Sequence, residues 1–237
     1  MEENNVSIQA SETVSYDSLM KNKALNKNRA DYSISQIKYF IGDIMKTTDG
    51  RNLSVLEIGF GDGARFRELS GMYQNAHFIG LEVRKEPVEK MTGLGYDCRL
   101  VETEMFDSFF NSGEKFDIIY GYGVLHHMSD PYKSLESLIK LLKPGGIVVF
   151  FGEHHKYDLL SHTNAIVKRN WVYEKNALMV KRKCFKKLFK QYTADYRIEY
   201  DNNGFVICFK RFNKLYCKLK MQRVPLWNCM TVFAKIN

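Results

Sequence analysis

Val55-Leu56-Glu57-Ile58-Gly59-Phe60-Gly61-Asp62-Gly63 runs directly into Ala64-Arg65-Phe66-Arg67-Glu68-Leu69. The apolar run from Leu53 to Ile58 has strand length. Three glycines at alternate positions then make a tight turn, and the following residues read as the first turns of a helix. Glycine serves where the backbone must turn sharply and lie close to a ligand. A helix N-terminus is expected to offer unpaired N–H groups to that ligand.

Gly59-x-Gly61-x-x-Ala64 satisfies the loose dinucleotide fingerprint. Against a dinucleotide, Glu57 and Asp62 are acidic and have no evident cationic neighbour in the turn. Two carboxylates would repel a pyrophosphate and would tolerate a cationic ligand. A glycine turn that binds nothing is the bland alternative.

Working outward, Ala76–Glu82 reads as a second strand, with Glu82 at its end, 23 residues after Gly59. A carboxylate there can accept hydrogen bonds from both hydroxyls of a ribose. A helix near 86–92 leads to a short third strand over 98–101, followed by Glu102-Thr103-Glu104. Phe116–Tyr120 is a nearly continuous apolar run of the kind buried in a parallel sheet, and it opens into Gly121-Tyr122-Gly123-Val124-Leu125-His126-His127. Asp130 and Pro131 then start a helix with Leu135, Leu138, Ile139 and Leu142 on its buried stripe. Lys143-Pro144-Gly145-Gly146 is read as its stop, with a fifth strand over 147–151.

The pattern E-x-G-x-G-x-G (Glu57 to Gly63), Glu82, G-V-L-H-H (Gly123 to His127) and L-K-P-G-G (Leu142 to Gly146) resembles the class I S-adenosylmethionine-dependent methyltransferases, in their small-molecule type 11/12-like branch. The resemblance covers about residues 50–155. It implies an α/β fold: a doubly wound, mostly parallel seven-stranded sheet with helices on both faces and an antiparallel C-terminal strand. It also implies S-adenosyl-L-methionine held by Glu57, Gly59, Phe60, Gly61, Gly63, Glu82, Val83 and Gly121, with Glu102 or Glu104 on the adenine. The expected organisation is an N-terminal arm (1–32), a cofactor-binding core (33–155), and lid helices, basic segment and last strands (156–237). The last strands are placed at 196–200 and 228–236, with an insertion between them. A helix over 34–46 is expected to bury Ile37, Phe40, Ile41 and Ile44. A basic amphipathic helix is expected over 176–192, with Leu178, Cys184, Phe185, Leu188 and Phe189 on its apolar face.

Methyl transfer needs orientation, and a base when the attacking atom carries a proton. Histidine suits that role near neutrality. His127 is the first candidate to face the acceptor, then His126, with His154 a further one. One histidine of each pair, His126/His127 and His154/His155, is expected to be structural. N-P-P-Y, Pro-Cys and the terminal acid of metal-dependent catechol enzymes are all missing after the fourth strand. A small-molecule acceptor methylated on oxygen or nitrogen is therefore preferred.

The chain has 237 residues and a net charge of +8, concentrated between Lys181 and Arg223, where 13 Lys and Arg face three acids. That segment suggests an anionic substrate or membrane surface, an RNA acceptor being the alternative. A non-catalytic binder and a nicotinamide oxidoreductase are the other readings. Five cysteines without a C-x-x-C pair argue for free thiols and against a metal site. With no signal-like N-terminus and no apolar run of spanning length, the expectation is a cytoplasmic protein.

Overall fold

In a computed structural model, the residues described are 34–35, 37–39, 41–42, 52–101, 113–154, 180–201 and 229–237. Seven strands form one sheet in the order β3-β2-β1-β4-β5-β7-β6. They are β1 (Leu53–Ile58), β2 (Ala76–Glu82), β3 (Asp97–Leu100), β4 (Phe116–Tyr122), β5 (Leu142–His154), β6 (Tyr196–Asp201) and β7 (Cys229–Lys235). β1 to β5 are parallel to their neighbours, while β7 pairs antiparallel with both β5 and β6. Only β7 is therefore reversed, and β6 points the same way as the first five strands.

Strand residues alternate between two apolar layers, as the two-residue period requires. One layer gathers Leu56, Ile58, Ile119, Val148 and Phe150 with helices α3 (Pro131–Lys140) and α4 (Arg182–Phe189). The other gathers Val55, Ile118, Val149 and Phe151 with α1 (Ala64–Met72), α2 (Lys85–Gly93) and the helical residues of 34–42. Both faces are covered, so the doubly wound expectation holds. Ile34, Ile37 and Ile41 are buried as that helix required; Phe40 and Ile44 lie outside the described residues.

Two element boundaries differ from the sequence reading. Leu142, read on the helix stripe, and Lys143–Gly146, read as the helix stop, instead form the first part of a 13-residue β5. Its register against β4 shifts between Phe116 and Ile118, and Gly145 adopts φ 77°. Pro and Gly are tolerated in a strand at such a bulge. The Gly145 N–H donates to the Ile236 carbonyl at 3.0 Å, and the Ile236 N–H returns to Gly146 at 2.9 Å, so tertiary pairing overrides the local turn signal. The basic helix spans only Arg182–Phe189, with Phe185, Leu188 and Phe189 buried. Leu178, the 202–227 insertion and the 1–32 arm lie outside the described residues. No helix among the described residues is long and apolar enough to cross a membrane.

Candidate active site

The parallel strands bring their C-terminal ends together where ligands bind in open α/β sheets. At the end of β1, Gly59, Gly61 and Gly63 adopt φ of 66°, 66° and 76°, a left-handed geometry that a side chain strains. A Cβ on Gly59 would also lie 2.8 Å from Val124 Cγ2.

Four amides of this turn are already used. Gly59 N–H donates to Leu81 O at 2.8 Å and Gly63 N–H to Phe60 O at 3.2 Å. Ala64 N–H donates to Asp62 Oδ1 at 3.0 Å, and Gly61 N–H to Glu82 Oε2 at 2.8 Å. The expectation of unpaired amides aimed at a ligand is therefore corrected at these four positions: they stitch the turn to itself and to β2. Glu82 Oε1 also accepts from the Val83 and Arg84 amides at 3.0 and 3.2 Å. The carboxylate is thus held rigidly at the strand end, and Oε2 accepts a single one of these bonds, below the capacity of a carboxylate oxygen.

Glu57 requires a second correction, because it does have a cationic neighbour. Arg65, in the first turn of α1, reaches back to Oε1 with Nε at 2.9 Å and an Nη at 2.8 Å. Tyr120, opposite Glu57 in the β1–β4 register, donates its hydroxyl to Oε2. Burial pushes the Glu57 carboxyl up, opposed by Arg65 and Tyr120. The Arg65 guanidinium lies 5.2 Å from the centroid of the Tyr122 ring, so one network ties β1, α1 and the end of β4 together. Phe60 is buried against Phe66, with ring centroids 5.9 Å apart, so its side chain belongs to the core. Gly121 is a packing glycine: a Cβ there would meet Phe150 and Val124 at 2.6 and 2.7 Å.

Beyond β4, Leu125–His127 form one turn of 3-10 helix. His126 is 1% exposed and its Nδ1 lies 2.8 Å from Glu153 Oε2 on β5. His127 is half-buried, and its ring packs at a 42° tilt against His126 with centroids 4.3 Å apart. Glu153 accepts from the amides of Val124 and Leu125 at 3.2 Å each and of His126 at 3.1 Å. Among the described residues, no group of three metal-ligating side chains is found.

The structure thus gathers Gly59, Gly61, Gly63, Glu82, Val83 and the His126–His127 turn at one end of the sheet. Glu102, Glu104 and the His154 side chain lie outside the described residues. Arg65 and Tyr120 escaped sequence reasoning as site residues, and Glu153, which that reasoning places at the same strand ends, received no role in it. A signal existed for each partnership: an acid inside an apolar buried strand needs donors.

Residues 56–148 match a family model described as a methyltransferase domain. The ubiquinone biosynthesis O-methyltransferase of Cereibacter sphaeroides is 31% identical over 155 residues, covering 62% of this chain and 60% of that protein. Its counterpart from Roseobacter denitrificans is 30% identical over 132 residues, covering 53% and 51%. The chain spans about half to 60% of the length of these curated relatives. Among solved structures, the plantazolicin methyltransferase BpumL in complex with SAH superposes with a TM-score of 0.59 at 14% identity, over 100% of this chain and 99% of that one. A SAM-dependent methyltransferase from Archaeoglobus fulgidus gives 0.57 at 15% identity, over 87% and 94%. At these identities the structural likeness speaks for the fold alone. The domain match thus places a methyltransferase domain over residues 56–148, on a sheet order and glycine turn of the fold these structures share.

Proposed function

We propose that the chain transfers a methyl group from S-adenosyl-L-methionine to an oxygen or nitrogen of a small molecule, with a hydroxyl the first choice because the curated relatives are O-methyltransferases. The observation that carries this is the glycine turn closed by Glu82. Four of its amides are spent inside the protein, and the carboxylates of Glu82 and Asp62 occupy two of them. That suits a ribose and a cationic group, and it leaves those amides nothing to offer a pyrophosphate, which disfavours the nicotinamide alternative. Glu82 accepts from the ribose, while Gly59, Gly61, Gly63 and the Phe60 and Val83 backbone line the cofactor, with Glu57 behind them and Gly121 across the turn. Glu102 or Glu104 takes the adenine. Bound there, S-adenosylmethionine supplies an electrophilic methyl on a sulfonium. The half-buried His127 takes the proton of the acceptor; His126 supports it, and His154 is held as a further candidate. We place the reaction in the cytoplasm, with 33–155 as the cofactor-binding part and 156–237 providing the lid and last strands.

Calorimetric titration with S-adenosylhomocysteine tests the cofactor assignment. Wild type is expected to bind in the micromolar range and Glu82→Ala at least tenfold more weakly; no binding by wild type overturns it. An acceptor panel read by S-adenosylhomocysteine release then tests the base, since full turnover in His127→Asn removes that role.

A second reading concerns the partner. Lys181, Arg182, Lys183, Lys186, Lys187 and Lys190 are all exposed, while the opposite side of α4 is buried in the core. Such a face suits an anionic acceptor or an anionic membrane surface and motivates the RNA alternative too. Salt-sensitive co-sedimentation with phosphatidylglycerol vesicles supports the membrane; retention of an RNA oligonucleotide alone supports the RNA acceptor.

A further inference from the structure

A carboxylate buried in an apolar strand costs several kcal/mol unless its lone pairs are met. Glu153, near the end of β5, has no exposed surface, and both its oxygens are engaged. Oε1 accepts two backbone N–H groups, those of Val124 and Leu125. Oε2 accepts the His126 N–H and faces His126 Nδ1. Four donors meet the roughly four lone-pair sites of a carboxylate. The side chain therefore caps the Leu125–His127 turn in the manner of an N-cap residue, although it comes from a different strand. Burial pushes the Glu153 carboxyl up, but His126 and the backbone amides together hold it below its usual value. An ionised carboxylate only accepts, so the proton of this contact must sit on His126 Nδ1. The His127 ring in turn packs, tilted, against the ring so fixed.

We propose that Glu153 is the positioning residue of the histidine pair: it locks His126 with Nδ1 protonated and sets the turn that presents His127 to the acceptor. This rests on the reading of His127 as the base, and it adds a residue that neither touches the substrate nor lies in the glycine turn. The arrangement follows the logic of a base oriented by a buried carboxylate, with one extra ring between carboxylate and base.

The test is a long-range proton–nitrogen correlation spectrum of the full chain labelled with 15N-histidine, with His126→Gln assigning the resonances. Wild type is expected to show His126 with Nδ1 protonated. Glu153→Gln, shown to be folded by S-adenosylhomocysteine binding within threefold of wild type, is expected to lose that signature. Its kcat in the acceptor assay should fall at least tenfold, with KM for S-adenosylmethionine unchanged. His126 protonated on Nε2 alone, or a His126 signature unchanged in Glu153→Gln, overturns the proposal. If Glu153→Gln does not fold, the wild-type tautomer decides by itself. Full turnover in His127→Asn would sink the base reading while leaving the tautomer result standing, so the two failures are distinct.

Discussion

Glu57 on β1 and Glu153 on β5 are both fully buried near the C-terminal ends of strands that flank β4, yet they are held in opposite ways. Glu57 is met by side chains, Arg65 and Tyr120, and burial leaves its carboxyl raised. Glu153 is met by three backbone amides and one imidazole, and its carboxyl is lowered. Depth alone does not set the direction in which a buried acid shifts; the donors it meets decide. Backbone amides are fixed by the turn they belong to and need no side-chain ordering. Arg65 must be held in place by packing, here beneath the Tyr122 ring.

The largest expected break in this comparison is at Arg65. Arg65→Met strips the cation from a buried partner, and chemical denaturation should show a loss of about 3–5 kcal/mol. A loss below about 1 kcal/mol would mean that Tyr120 alone satisfies Glu57. Next comes Gly59→Ala, which adds a Cβ against Val124 in a left-handed backbone. It should cost about 1–3 kcal/mol and weaken S-adenosylhomocysteine binding, and unchanged thermal unfolding would refute the strain. A smaller effect is the pH slope of stability. Because the folded Glu153 carboxyl is lowered, its contribution is present above its ordinary value of 4.5 and is lost as pH falls through the folded value. Glu153→Gln should therefore flatten the acid limb of stability against pH. Glu57 works in the other sense: its raised carboxyl binds more protons in the folded state, so its contribution weakens as pH climbs above about 4.5. Glu57→Gln should not flatten the acid limb, and if it did the contrast between the two acids would be lost. Smallest of all, Lys183→Ala with Lys187→Ala on the exposed face of α4 should move stability by no more than about 0.5 kcal/mol, while weakening any binding to anionic vesicles.

What the sequence disclosed was whatever its signals kept local. The glycine turn is legible because each need for a left-handed backbone is written at its own position. Glu82 is legible because it ends a strand at a fixed distance from that turn. Arg65 was hidden although it lies only eight residues beyond Glu57, since its direction depends on how α1 leans back over β1. The partners of Glu153 were hidden further: they belong to another strand's turn, and they meet it only through the β4–β5 register. The same holds for Leu142–Gly146, where Pro and Gly spell a turn locally and pairing with Ile236 makes a strand. The outline of the sheet was therefore readable, down to β6 and β7, while the satisfaction of its buried acids was not.

The reversed strand β7 sets an order of events during synthesis. It lies between β5 and β6, yet it is the last of the seven to be made. Until residues 229–235 emerge from the ribosome, β5 presents the Ile147–His154 stretch without the strand that pairs it, and among the described residues β6 has no other strand to join. An open edge of that length is the kind that recruits other chains. The final strand thus works as a closing stitch, and a nascent chain stalled before Cys229 would be the form most in need of a chaperone.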